Sequence, residues 1–256
     1  MSTLSIKPDT RNIELPTIRR VETSHVLLWL KHGWTDLKRN WPISLSIGVL
    51  FTVLGYLLME YAWSRPHLAL TVTSGFLLVS PFLAIVFYEL SRHHERSRAL
   101  RFEGVRRNAT SIGMYALLLA FILSSWERIS AIMVGLLFKD ELASGGAFSF
   151  SMLFSGEHLG FIATYLLAGG ILAALVFAIS VVSLPMLIDR KVDFVTAIVT
   201  SLWVVRENPL PMLVWALAIG VLTLLGELLW LVPLVVIFPL LGHATWHAYH
   251  DLVSRH

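Results

Sequence analysis

Three histidines crowd the end of this chain, His243, His247 and His250, with Tyr249 among them. His243 and His247 stand four residues apart, so a helix presents both imidazoles on one face, a spacing that could serve one metal ion or a haem. Counted from a helix start near Trp230, His243 falls about two turns inside an apolar layer, where ionisable groups are usually paired or functional. The plainer reading is structural. His247, Tyr249 and His250 sit where an aromatic belt belongs, and His243 could hydrogen-bond carbonyls freed by Pro239 or Pro185. That reading is preferred, and no metal or cofactor is expected.

Three carboxylates form a second set. Asn40 opens an apolar stretch that ends at Glu60 near Trp63, Asn108 opens one that ends at Glu127 after Trp126, and Asn208 opens one that ends at Glu227 before Trp230. At about 1.5 Å per residue each stretch covers roughly 28 Å, close to the hydrocarbon thickness of a bilayer. Glu60, Glu127 and Glu227, with Glu157 and His158 nearby, could therefore form an outer ring that draws cations into a pathway. The plainer alternative leaves each Glu in water at the end of a span, and it is favoured. Asn40, Asn108 and Asn208 are expected to act as helix caps.

Nothing else nominates a reaction. There is no Gly-rich phosphate loop, no HExxH, no GxSxG and no carboxylate pair inside the apolar stretches, so no enzyme is expected. The chain holds no cysteine, which excludes disulfides, thiolate nucleophiles and Cys-based metal centres.

Composition names the elements that must position these groups. Hydrophobic residues make up 56% of the 256 residues, charged residues 14%, and mean hydropathy is +0.71, values of a polytopic membrane protein. Residues 1–22 read as a polar, disordered tail without a signal-peptide core. Spans are expected at about 41–60, 68–91, 109–127, 158–187, 209–227 and 230–251. With both ends inside, 17 of the 20 Lys and Arg face the cytoplasm, the positive-inside bias. Basicity is then a topology signal and a contact with anionic headgroups, above all through Arg92, Arg96, Arg101, Arg106 and Arg107, and not a nucleic-acid surface.

Residues 23–39 place Val26, Leu30, Gly33, Trp34 and Leu37 on one face, with Lys31, Asp36, Lys38 and Arg39 largely off it, as in a helix lying at the membrane surface. Residues 193–207 repeat the scheme with Asp193 as cap, while Asp189-Arg190 reads as a solvated turn in preference to a salt-bridged hinge formed with Asp193. Segment 129–156 is irregular, either interfacial or an extension of the third span. Gly170, Ala174 and Ala178 mark the fourth span as a packing helix. The unit is thus a surface helix, an Asn turn, an outward helix and a return helix, repeated three times in the same sense. Gly48-Val49-Leu50 before Leu54-Gly55 matches Gly220-Val221-Leu222 before Leu225-Gly226.

FLLVSPFLAIVFYELSRHHER, AISVVSLPMLIDRKVDFVTAIVTS and LLGHATWHAYHDLV resemble a bacterial family of integral membrane proteins, domain of unknown function 2189, over about residues 20–256. Ser80-Pro81 departs from the Gly-Pro expected there. The resemblance implies fold and location, and no activity. The expectation is an all-α, six-span protein of the bacterial inner membrane with both termini cytoplasmic, built as three hairpins each preceded by an amphipathic interfacial helix. Its expected role is a non-enzymatic scaffold that binds partners or lipids. A small-solute or ion translocator and a haem- or metal-binding accessory subunit using His243 and His247 are the alternatives.

Overall fold

The computed structural model describes residues 16–63, 84–96, 103–137 and 159–254. Every regular element within them is a helix: α1 (His25–Arg39), α2 (Trp41–Trp63), α3 (Ile85–Arg96), α4 (Glu103–Arg107), α5 (Ala109–Leu137), α6 (Leu159–Ser180), α7 (Ser183–Asp189), α8 (Phe194–Glu207), α9 (Pro209–Leu228) and α10 (Leu234–Leu252). Four stretches are long and apolar enough to cross a membrane: Trp41–Glu60, Ala109–Leu136, Leu159–Asp189 and Pro209–Leu228. Most of the expected second span, with Pro81, lies outside the described residues, and α3 covers only its end. Residues 138–156 also lie outside them. The expected exit at Trp126-Glu127-Arg128 is not a helix end, because α5 runs unbroken to Leu137.

The expected sixth span is α10, and it is not among the four apolar stretches. A turn precedes it, in which Trp230 and Leu231 adopt left-handed φ angles of 58° and 64°. Leu231 N donates to Gly226 O at 2.9 Å and so closes α9. The apolar start of α10, residues 234–241, rises only about 12 Å, well short of a hydrocarbon core of roughly 30 Å. Beyond it the helix carries His243, His247, His250 and Asp251. A helix of this composition needs protein around its polar half.

That cover comes first from α1, which lies lengthwise on α10 instead of apart from it. His25 meets Asp251, Gly33 abuts Ala244, and Asp36 meets His247. The contacts at the two ends, His25 with Asp251 and Gly33 with Ala244, run in opposite chain order, so the two helices are antiparallel. α2 carries the same course along the first half of α10, where Phe51 stacks on Phe238 with ring centroids 3.8 Å apart. The buried face of α1 is Val26, Trp29, Gly33 and Leu37. Trp34, expected on that face, is exposed and carries Lys38 over its ring at 5.2 Å.

The second half of the molecule gathers on α7, whose seven residues are all buried. α4, α5, α6 and α8 pack on it, and it reaches across to α3 and α10. Leu159–Asp189 is the most enclosed of the four apolar stretches, in keeping with a packing helix. The glycine that admits a neighbour is Gly169, against Trp126 of α5, while a Cβ built at Gly170 meets nothing. Part of the expected tail is paired as well. Ile18 bridges Val253, Arg19 N donates to Leu252 O at 2.8 Å, and Arg20 pairs with Glu207 at 2.6 Å. The two ends of the described chain therefore lie together.

Close helix approach rests on particular glycines. A Cβ at Gly48 would lie 2.1 Å from Val235 O, and one at Gly33 would lie 2.7 Å from Ala244 N. Both neighbours are backbone, which cannot rotate away. Gly48→Ala and Gly33→Ala are each expected to cost about 1–3 kcal/mol by overpacking and to lower the melting temperature in detergent. Gly113→Ala, where a Cβ meets nothing within 4 Å, is expected to be neutral or to gain up to about 1 kcal/mol of helix propensity. Equal melting of all three variants would contradict this packing.

Candidate functional site

On α10, His243, His247 and Asp251 recur every four residues and form one stripe, and α1 covers most of it. Asp251 Oδ2 receives Trp29 Nε1 at 2.9 Å and pairs with His25 Nδ1 at 2.6 Å. One turn back, His247 Nε2 lies 2.9 Å from Asp36 Oδ2, and the His247 ring packs on His32 at 5.2 Å. One turn further, His243 is fully buried. Its Nε2 faces Ser44 Oγ of α2 at 3.0 Å, and its Nδ1 faces Ser91 Oγ of α3 at 2.7 Å. Ser91 Oγ donates in turn to Asp36 Oδ2 at 2.7 Å.

The contacts form one string: Ser44, His243, Ser91, Asp36, His247. Proton counting fixes its direction. The carboxylate of Asp36 can only accept, so the single hydroxyl proton of Ser91 points to it. Ser91 must then accept from His243 Nδ1–H. When the ring carries one proton it sits on Nδ1, and Nε2 accepts from Ser44. The string thus satisfies five polar side chains at the place where α1, α2, α3 and α10 meet. Leaving any one of them buried and unpaired would cost about 1–3 kcal/mol.

A second knot lies on the opposite side of α10. Tyr249 Oη donates to Asp189 Oδ2 at 3.1 Å and receives Arg190 Nε at 2.8 Å. Arg92, buried, pairs with Glu89 at 3.3 Å and reaches Asp189 Oδ1 at 3.8 Å. The Asp189-Arg190 turn is therefore an internal ion-pair junction, closer to the salt-bridged alternative than to the solvated turn preferred from the sequence. Arg107 donates to Ile188 O at 3.1 Å and Asp189 O at 3.0 Å, and Asn108 donates to Leu187 O at 2.7 Å and to Arg190 O. Together they satisfy the carbonyls that the C-terminus of α7 leaves unpaired.

Of the expected basic patch, Arg92 is thus turned to internal work, and Arg106 and Arg107 are exposed, Arg107 being tied to the carbonyls of α7. The side chains of Arg96 and Arg101 lie outside the described residues. Asp193 caps α8 as expected, its Oδ1 receiving Thr196 N at 2.9 Å. Asn208 makes no side-chain cap to α9. It ties the chain start instead, accepting from Val21 N at 2.9 Å and donating to Arg19 O at 3.0 Å. His250 packs on Trp246 at 4.6 Å and on Tyr249 at 4.7 Å.

The carboxylates of Glu60, Glu127 and Glu227 are exposed, half-buried and half-buried, and no hydrogen bond or ion pair among the described residues joins them. Their helices pack elsewhere, α2 and α9 on α10 and α5 on α6. No group of three or more His, Asp or Glu placed to hold a metal occurs among the described residues. Sequence reasoning missed Ser44, Ser91, Asp36 and Asp251. None of them carried a signal of its own, because each stands on a different helix from its partner.

Residues 68–189 match the model of a family described as predicted integral membrane proteins, DUF2189. That stretch is similar to DUF2189. It takes in α3 to α7 and ends on Asp189. FLLVSPFLAIVFYELSRHHER falls inside the match, and LLGHATWHAYHDLV falls outside it. The matched stretch thus supplies Ser91 and Asp189, which bond His243 and Tyr249 of α10, a helix beyond the matched range. No curated protein and no solved structure matches the chain.

Burial works to raise Asp36, but hydrogen bonds from His247 and Ser91, with the charges of His247 and His243, outweigh it and hold the carboxyl below its ordinary 3.8. A carboxyl depressed on folding stabilises fully above its unfolded value and loses that contribution as pH falls through the folded one. Asp36→Asn is expected to melt lower than the parent at neutral pH, by about 1.5–3 kcal/mol for bonds to a charged group. The gap should close as pH falls below 3.8. Melting curves across that range check this, and a gap that persists unchanged into acid would remove the charge of Asp36 from the account.

Proposed function

We propose that this chain is a non-enzymatic protein of the bacterial inner membrane, crossing six times with both ends cytoplasmic. In this reading its interfacial helices hold anionic lipid headgroups and membrane partners. The observation that carries it is the outer face of α1. Leu27, Leu28 and Trp34 are exposed there beside Lys31, Lys38 and Arg39. α8 repeats the pattern, with Val199, Leu202 and Trp203 exposed beside Arg206. Apolar and Trp side chains at headgroup level with basic neighbours suit an anionic lipid surface. The paired ends of the chain support termini on one side.

The alternatives find less support. His243 has both ring nitrogens engaged by serines, which leaves none for a metal or haem iron. Ser44 beside His243 has the distance of a nucleophile and its base, but it is fully buried and no substrate reaches it. A cavity between α6, α9 and α10 is walled mainly by apolar side chains and holds no charged one, a poor path for ions. We expect no cofactor and no nucleic-acid partner.

The test is the lipid shell. Lys31, Lys38 and Arg39 are replaced by Glu, and the ratio of phosphatidylglycerol to phosphatidylcholine retained from mixed vesicles is measured. Each basic residue near a charged surface contributes about 1 kcal/mol, so the ratio should fall roughly fivefold per residue replaced. A ratio equal to that of the parent protein would contradict the proposal.

A further inference from the structure

Between α6 and α9 the two apolar helices stand apart, and α10 closes the back of the gap. The result is a cleft of about 340 Å³. Gly170 and Ala174 line one wall, Leu217 and Gly220 the other, and Phe238 and Leu241 the floor. Ala174 and Leu217 are exposed, so the cleft opens sideways. It is continuous with the outward faces of α6 and α9, where Leu166, Leu167, Val221 and Leu224 are also exposed. Both walls belong to stretches apolar enough to cross a membrane, so the cleft opens onto hydrocarbon.

No Asp, Glu, Lys, Arg or His lines it, which rules out a charged occupant. The polar residues that line it are Tyr88, Ser180, Thr223 and Thr245. Ser180 is already bonded to Tyr115 at 2.6 Å and Thr245 to Leu241 O at 2.7 Å. Along α6 the lining runs from Gly170 to Val181, about 16 Å at the helical rise. That is half of a hydrocarbon core of roughly 30 Å, the depth of one leaflet. The volume stands at the lower end of ligand sites, about 300–1,000 Å³, which suits one chain and not a whole lipid.

We propose that this cleft is a binding site for a single acyl chain of a membrane lipid, lodged between α6 and α9 from the leaflet on the side of α7. The site is separate from the headgroup surface of α1 and does not depend on it. The small residues at Gly170 and Gly220 keep the groove open, and they also provide the means of closing it. A Cβ built at either meets no atom within 4 Å, so a larger side chain fills the groove without displacing protein.

The experiment uses the full chain in phosphatidylcholine vesicles that carry a small fraction of the same lipid with a nitroxide at mid-chain. Electron paramagnetic resonance counts the strongly immobilised lipid per protein against the mobile annulus. The parent protein is expected to hold about one such chain. Gly170→Leu and Gly220→Leu, from opposite walls, are each expected to lower that number at least fivefold while the melting temperature holds or rises. The proposal is overturned if the parent shows no immobilised component, or if both variants, folded, retain it in full.

Discussion

One helix sets the terms for the rest of this molecule. α10 begins as an apolar rod and turns polar after two turns, so lipid can receive its first half and not its second. Charged and imidazole groups at membrane depth persist only when protein, not hydrocarbon, surrounds them. The neighbours of α10 meet that demand in order. α2 lies against the apolar half, α1 against the stripe of His243, His247 and Asp251, and α3 and α7 against the other face. The helix expected as the sixth span is thus one whose polar half is enclosed by a collar of protein.

The collar explains arrangements that otherwise look unrelated. α1 is neither a free surface helix nor a tail; it continues α2 through the bend at Asn40 so that Asp36 and Trp29 reach α10. The pairing of residues 16–21 with the chain end follows, since α1 must start where α10 stops. The stretch that matches DUF2189 contributes Ser91 and Arg92 of α3 and Asp189 of α7 to the same structure. Stability of the two halves is therefore shared through a few buried polar contacts, each costly if broken singly.

The apolar helices were legible because length and hydropathy alone determine them. Trp41, Ala109 and Pro209 start their helices within a residue of the expected positions. The Asn turns were legible as places and not as mechanisms. Local capping rules suggest a bond to the following helix, whereas Asn108 and Asn208 bond to chain far away in sequence. Gly48 and Gly220 look equivalent in the repeat, yet one abuts Val235 and the other meets nothing, because only tertiary packing decides what stands opposite. The histidines drew attention by depth and spacing. Their partners Ser44, Ser91 and Asp36 did not, since a serine in an apolar run and an acid on a basic helix carry no signal until two helices are brought together.

The central claim is that Asp36 of α1 and His247 of α10 act as one unit that holds the collar closed. A double-mutant cycle with Asp36→Asn, His247→Gln and both together, followed by thermal unfolding in detergent, measures it directly. Residues in contact within one network show interaction energies of about 0.5–3 kcal/mol, while independent sites add within about 0.3–0.5. The account expects a coupling above about 1 kcal/mol, with the double variant little worse than either single one. Strict additivity would mean that α1 does not rest on α10, and the collar would fall with it.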